Sequence, residues 1–327
     1  MKHAHVPKGL LAILGMLMFI LDGKTALNGA QEGIELCLKT VIPSLFPFFI
    51  FSFLAVDSFL GTTFPFSKVL RRIIPIPKGS ESILICGILG GYPTGAQCIS
   101  SAYKSNQLSL EAAQKMLAFC NNAGPAFVFG ILSSVFPSRW TPWVLWLIHV
   151  TSALFVSQFF PVEQVSPIYI SGKQKPSLSS ALHSAIRSIA SVCGWVILFR
   201  TILAFCQRWF FWIFPAELQV LFTGILELSN ACCLLPLIED LNLRFLLCSG
   251  MLAFGGLCIT MQTISVAEGI SVHHYFLGKL LQTLFSLALS YVFLYLSIPV
   301  CVILFPVSFI LFRNIRKKSS FQRILGV

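Results

Sequence analysis

Twice in this chain an apolar run of membrane-helix character stops on residues that lipid does not tolerate. Residues 84–103 read LICGILGGYPTGAQCISSAY, and residues 221–236 read LFTGILELSNACCLLP. Both begin as apolar helices and share a Gly-Ile-Leu tripeptide, Gly87-Ile88-Leu89 and Gly224-Ile225-Leu226, before turning small and polar. Backbone freed from helical hydrogen bonding at membrane depth persists only where protein buries it or a cavity receives it. A matched pair of such interruptions points to a solute site between half-helices.

Composition sets the solvent. Of the 327 residues, 56% are hydrophobic and only 11% charged, against roughly 25% charged in soluble domains. No soluble core absorbs that apolar surface, and the runs are continuous rather than alternating as in a barrel. The expected class is an all-α polytopic membrane protein of the bacterial cell membrane. Cys206, Cys232 and Cys233 fall inside predicted helices, where cysteine acts as a small hydrophobe. The eleven cysteines show no metal-ligand spacing. The net charge of +11 gathers in short polar stretches: Lys68, Arg71, Arg72 and Lys78; Lys173 and Lys175; Arg313, Arg316, Lys317, Lys318 and Arg323. Such clusters suit cytoplasmic loops beside anionic lipid. Membrane lipid is therefore an expected partner and nucleic acid is not.

Residues 9–21 read as an uncleaved first membrane helix or signal anchor, because no A-x-A-like site follows. Residues 26–39 read as an amphipathic helix at the interface, with Leu27, Ile34 and Leu38 opposite Gln31, Glu32 and Glu35. Spans follow at 40–60 and 81–103. A helix over 110–136 starts at the N-cap Ser109 and is broken by Asn121-Asn122-Ala123-Gly124-Pro125. A further span covers 141–160. The Pro-, Ser- and Lys-containing stretch 161–178 is a linker. Beyond it come a span ending near Cys206, the interrupted segment 218–236, and a helix at 244–266 broken at Phe254-Gly255-Gly256. Residues 275–312 close the chain as one long span or two short ones, split by Pro299. The two Gly-Ile-Leu tripeptides stand 137 residues apart, and Asn121 and Gly255 stand 134 apart. Two landmarks at nearly one offset imply two repeats, over 40–160 and 179–298. Residues 1–39 precede them, and a last hydrophobic segment with a basic tail, 299–327, follows.

The breaks supply the candidate chemistry. Gly90, Gly91 and Gly95 permit backbone conformations closed to other residues, and Pro93 ends a helix. A second half-helix starting there offers free N–H groups to an anion, with Thr94 and Gln97 adding side-chain hydrogen bonds. Asn121 and Asn122 are costly in an apolar run unless paired or hydrated, and their amides can bind a carboxylate, a carbonyl or a cation. Asn230 is a candidate solute-binding amide, and Glu227 beside it is an intramembrane carboxylate and so a candidate coupling or gating group. Gln262, with Thr260 and Thr263, sits in the fourth break in the same role. Arg200, within CGWVILFRTILAF, is a candidate ligand for an anionic solute or a partner for Glu227. His149 is a weaker candidate. No nucleophile–base pair, HExxH or phosphate-binding loop is present, so no enzyme is expected, and no cofactor or metal beyond a proton or sodium ion for coupling.

At these residues the chain resembles a known group. GGYPTGAQ, NNAGPAF, GILELSN and FGGLCITMQT, in that order, resemble segments of the YlbJ/SpoVV-type sporulation integral membrane proteins, within the wider group bearing nucleoside-recognition gate domains. The resemblance runs from about residue 40 to 298. It implies two gate repeats with interrupted or re-entrant helices, distantly similar to concentrative nucleoside transporters. It also implies movement of dipicolinate, a pyridine dicarboxylate, across a forespore membrane. Nucleoside sites in the distant relatives use acidic residues in both halves; here only Glu227 stands in such a position. The expected function is transport of a small anionic metabolite. The alternatives are a non-transporting sporulation scaffold and a gate-domain transporter of nucleosides or another small solute. A homo-oligomer is compatible with the chain.

Overall fold

A computed structural model describes residues 6–59, 65–162 and 177–296. Most of the linker, with Lys173 and Lys175, lies outside the described residues, as do Pro299 and the basic cluster Arg313 to Arg323. The described residues contain helices and no strand.

The chain opens with α1 (Val6–Leu21) and α2 (Gly23–Leu36), separated by Asp22, whose carboxylate accepts from the Thr25 amide at 3.2 Å and caps α2. A wide π turn, Cys37–Val41, carries α2 directly into α3 (Ile42–Phe59). The stretch 26–39 is therefore not a separate interfacial helix. It is the first half of one rod that runs through residues 39 and 40 without interruption. The wide turn lies just ahead of Pro43, whose ring crowds the carbonyl four residues earlier, and widening that turn relieves the clash.

Gly29 and Gly33, one turn apart on α2, let it press against α10 (Leu178–Trp209). A Cβ on Gly29 would come within 2.8 Å of Ala204 Cβ, and one on Gly33 within 2.8 Å of Ile197 Cα. Small residues four apart allow this approach where lipid offers no hydrophobic drive for helix pairing.

Between these long helices lie short ones: α4 (Ser67–Ile73), α5 (Glu81–Leu89), α6 (Thr94–Lys104), α7 (Leu110–Leu117), α8 (Pro125–Ile131) and α9 (Thr141–Ser157). After α10 come α11 (Ala216–Leu226), α12 (Leu228–Leu234), α13 (Leu241–Phe254), α14 (Gly256–Val266) and α15 (His273–Tyr295). Ser109 caps α7 as expected, accepting from the Ala112 amide at 3.1 Å. Gly23–Ala55, Leu178–Trp209, Leu241–Val266 and His273–Tyr295 are long and apolar enough to cross a membrane. Each of the four segments expected to be broken is broken, at residues 90–93, at 118–124, at Glu227 and at Gly255.

Candidate functional site

The four breaks meet. The first turns on Gly91, at φ +77°, and contains a cis Tyr92–Pro93 bond. Gly91 abuts Gly124 of the second break, where a Cβ would come within 2.7 Å of the Gly91 nitrogen. The fourth turns on Gly255 and Gly256, at φ +81° and +84°, conformations that favour glycine. A Cβ on Gly256 would come within 2.9 Å of the Gly224 carbonyl, so the fourth break rests on the end of α11. Tyr92 bridges the first and fourth, donating its hydroxyl to the Leu252 carbonyl at 3.3 Å.

A narrow cleft of about 50 Å³ opens where they meet. Gly91, Tyr92, Ala123, Gly124, Glu227 and Gln262 line it. Thr40 and Ser44 of the first rod and Val192 and Val196 of α10 line it as well. Among the described residues Glu227 supplies the one carboxyl group lining it, and it is buried. Its extended backbone ends α11, and its carboxylate caps α12. Oε1 accepts from the Ser229 amide at 3.0 Å, and Oε2 from the Asn230 amide at 2.6 Å and Asn230 Nδ2 at 2.7 Å. The helix end offered to an external anion at this break is thus occupied by the chain's own carboxylate. No ion pair to Glu227 exists among the described residues.

Behind the cleft lies a buried polar network that the sequence motifs do not announce. Lys279 of α15, fully buried, donates to the Asn121 carbonyl at 2.6 Å, to Gln282 Oε1 at 2.8 Å and to the Tyr92 hydroxyl at 3.0 Å. Its ammonium also lies 4.9 Å from the Tyr92 ring centre. Gln282 Nε2 donates to Asn122 Oδ1 at 3.0 Å, and His149 Nε2 accepts from the Ala123 amide at 3.0 Å. Lys279 and His149 thus give partners to the Asn121 carbonyl and the Ala123 amide of the break, which is the condition for irregular backbone at membrane depth. Lys279 makes no ion pair with a carboxylate among the described residues. A signal for it is nevertheless present: Lys279 and Gln282 stand three apart, on one helical face, in the apolar run YFLGKLLQTLFSLAL.

The expected residues divide accordingly. Gly91, Glu227 and Gln262 line the cleft. Gln262 Nε2 approaches Cys258 Sγ at 3.4 Å. Thr94 Oγ1 is spent on the Gly90 carbonyl at 3.1 Å. Gly95, like Gly87, is a packing residue, since a Cβ on either would overlap the Cys120 carbonyl. Gln97 Oε1 accepts from Ser188 of α10 at 2.8 Å. Asn121 Nδ2 donates to Thr263 Oγ1 at 2.9 Å and Asn122 Nδ2 to the Phe119 carbonyl at 2.7 Å. Both asparagines are fully buried away from the cleft, whose second-break contacts are Ala123 and Gly124. Arg200 pairs with Glu32, not with Glu227, and donates to Gln207 Oε1 at 3.1 Å. Arg200 and Asn230 line a second, wider cavity with Glu32, Glu35 and Lys39.

Comparison with characterised proteins aligns 115 residues, 34% of this chain, with the sporulation integral membrane protein YlbJ of Bacillus subtilis (strain 168) at 30% identity. The aligned segment spans 28% of that protein's length. No protein-family model and no solved structure matches. The chain is a helical membrane protein, similar over about a third of its length to a sporulation integral membrane protein.

Proposed function

We propose that this chain is a transporter of a small organic solute and that the cleft is its passage. The observation that carries this reading is that three helix breaks, and the helix α14 that follows the fourth, line one cavity inside a membrane protein. Broken helices are costly in lipid and cluster where a solute must be met. The offset between the breaks in the two halves of the sequence supports reading them as repeats. A small anionic metabolite, with dipicolinate as first candidate, is the substrate favoured by the motif resemblance and by the partial similarity to a sporulation protein. On this reading the forespore membrane is where the chain acts.

A second substrate reading rests on a specific observation. Among the described residues the cleft is lined by one carboxylate and by no lysine or arginine. A dianion would meet Glu227 there, whereas a nucleoside or another uncharged solute would find a hydrogen-bond acceptor. Uptake of labelled dipicolinate and labelled uridine into proteoliposomes separates the two. Saturable uptake of dipicolinate, abolished in Glu227→Gln or markedly altered in its ion dependence, is the expected result. Uptake of uridine alone would transfer the proposal to the second reading, and uptake of neither would reject both.

A further inference from the structure

The second cavity has a composition that lipid cannot fill. Glu32, Glu35, Lys39, Arg200, Gln207 and Asn230 line an open cavity of about 380 Å³. Four of these six are charged. They stand on α2, the π turn, α10 and α12, and the first three of these elements belong to two of the segments long and apolar enough to cross a membrane.

Asp22 and Arg208 pair at 3.1 Å. Glu32 lies ten residues along α2 from Asp22, and Arg200 eight residues along α10 from Arg208, so the Glu32–Arg200 pair stands about 12–15 Å along the two helices from the Asp22–Arg208 pair. Charged side chains within helices that cross a membrane face protein or water, not lipid.

The cavity also leads somewhere. Thr40 lines both it and the cleft. Asn230, on its wall, donates to the carboxylate of Glu227, which lines the cleft. The walls are balanced in charge, because Glu32 pairs with Arg200 and Glu35 with Lys39. Glu227 at the inner end has no ion-pair partner among the described residues. Three donors engage its two oxygens, and a carboxylate has about four acceptor positions, so one remains.

From this we propose that the second cavity is a water-filled vestibule through which a small cation, proton or sodium ion, reaches Glu227 from one face of the membrane. Thr40 and Asn230 form the threshold, and the Glu32–Arg200 pair is part of its wall. The proposal does not require that the chain carry an organic solute.

Cys233, exposed on the vestibule wall, is a native reporter. Right-side-out and inverted membrane vesicles would be treated with a cationic, membrane-impermeant methanethiosulfonate, and the modified cysteines located by peptide mass spectrometry, with Cys233→Ser as control. Modification of Cys233 from one vesicle orientation only is expected. Prior blocking of Cys233 is expected to slow modification of Glu227 by a water-soluble carbodiimide severalfold. A Cys233 that only a lipid-soluble maleimide reaches, or that is reached equally from both faces, would overturn the one-sided vestibule. Glu227 modification that ignores the block would overturn the connection. Repeating the carbodiimide step at one fixed pH in sodium against choline buffer separates the ions: protection by sodium marks a sodium site, and equal rates in the two buffers mark a proton site. A Glu227 that the water-soluble carbodiimide modifies from neither face would reject cation access to it. None of these readouts depends on solute uptake, so their failure and that of the transport reading are distinguishable.

Discussion

Lys279 shows how one residue can hold an irregular segment together. Its ammonium joins the first break, through Tyr92, to the second, through the Asn121 carbonyl, and to Gln282 on its own helix. Lys279→Met keeps the side chain's bulk and removes the donors. It leaves a buried carbonyl unsatisfied and is expected to cost about 1–3 kcal/mol, read as a lower thermal midpoint in detergent. An unchanged midpoint would show that these bonds do not hold the break. Intramembrane charge is legible in the sequence at Glu227 because it interrupts a short apolar helix. The same rule applies to Lys279, but it sits inside a long helix with no proline beside it to mark a break. The partner of Arg200 is not legible: Glu32 lies 168 residues away in the chain, and only the packing of α2 on α10 brings them together. Asn121 and Asn122 are legible as polar groups that need partners, but not as groups whose partners are other parts of the protein.

At the scale of elements, glycine decides how closely segments approach. Gly87 on α5 and Gly95 on α6 flank the Cys120 carbonyl, so the extended segment between α7 and α8 passes where no side chain fits. Gly95→Ala is expected to destabilise by about 1–3 kcal/mol through overpacking. Gly130→Ala, on α8 with nothing within 4 Å of the new Cβ, is expected to be neutral or to stabilise by up to about 1 kcal/mol. Thermal midpoints of the pair check this, and equal shifts would contradict it. Gly33→Leu tests the α2–α10 contact. It is expected to separate the helices, lose the Glu32–Arg200 pair and convert the protein to an aggregating form in size-exclusion chromatography. A monodisperse Gly33→Leu protein with an unchanged midpoint would refute the close contact. The positions of all four breaks are legible, because small and polar residues clustered inside an apolar run end a lipid-facing helix. The setting of α2 is not. Its polar stripe, continued by Lys39 in the π turn, suits a membrane surface and a cavity wall equally well, and Glu32, Glu35 and Lys39 line a cavity. Periodicity identifies a polar face without identifying what that face meets.

At the scale of the molecule, among the described residues, the long helices α3, α10 and α15 pack against a zone of broken segments. Within that zone a narrow cleft and a wider polar cavity share Thr40. Polytopic helical character follows from composition alone; the junction of the cavities does not, because it depends on residues from α2 to α14 meeting in space. Thr40 stands at that junction, on a half-buried position of the π turn, and Thr40→Trp places a large ring there. The most direct test is uptake of labelled dipicolinate, with uridine in parallel, into proteoliposomes of the unaltered chain and of Thr40→Trp. Saturable uptake of one solute by the unaltered chain is expected, with its loss in Thr40→Trp at equal reconstitution and thermal midpoint. Undiminished uptake by Thr40→Trp, or no uptake above empty liposomes by either protein, would contradict a solute passage through the cleft.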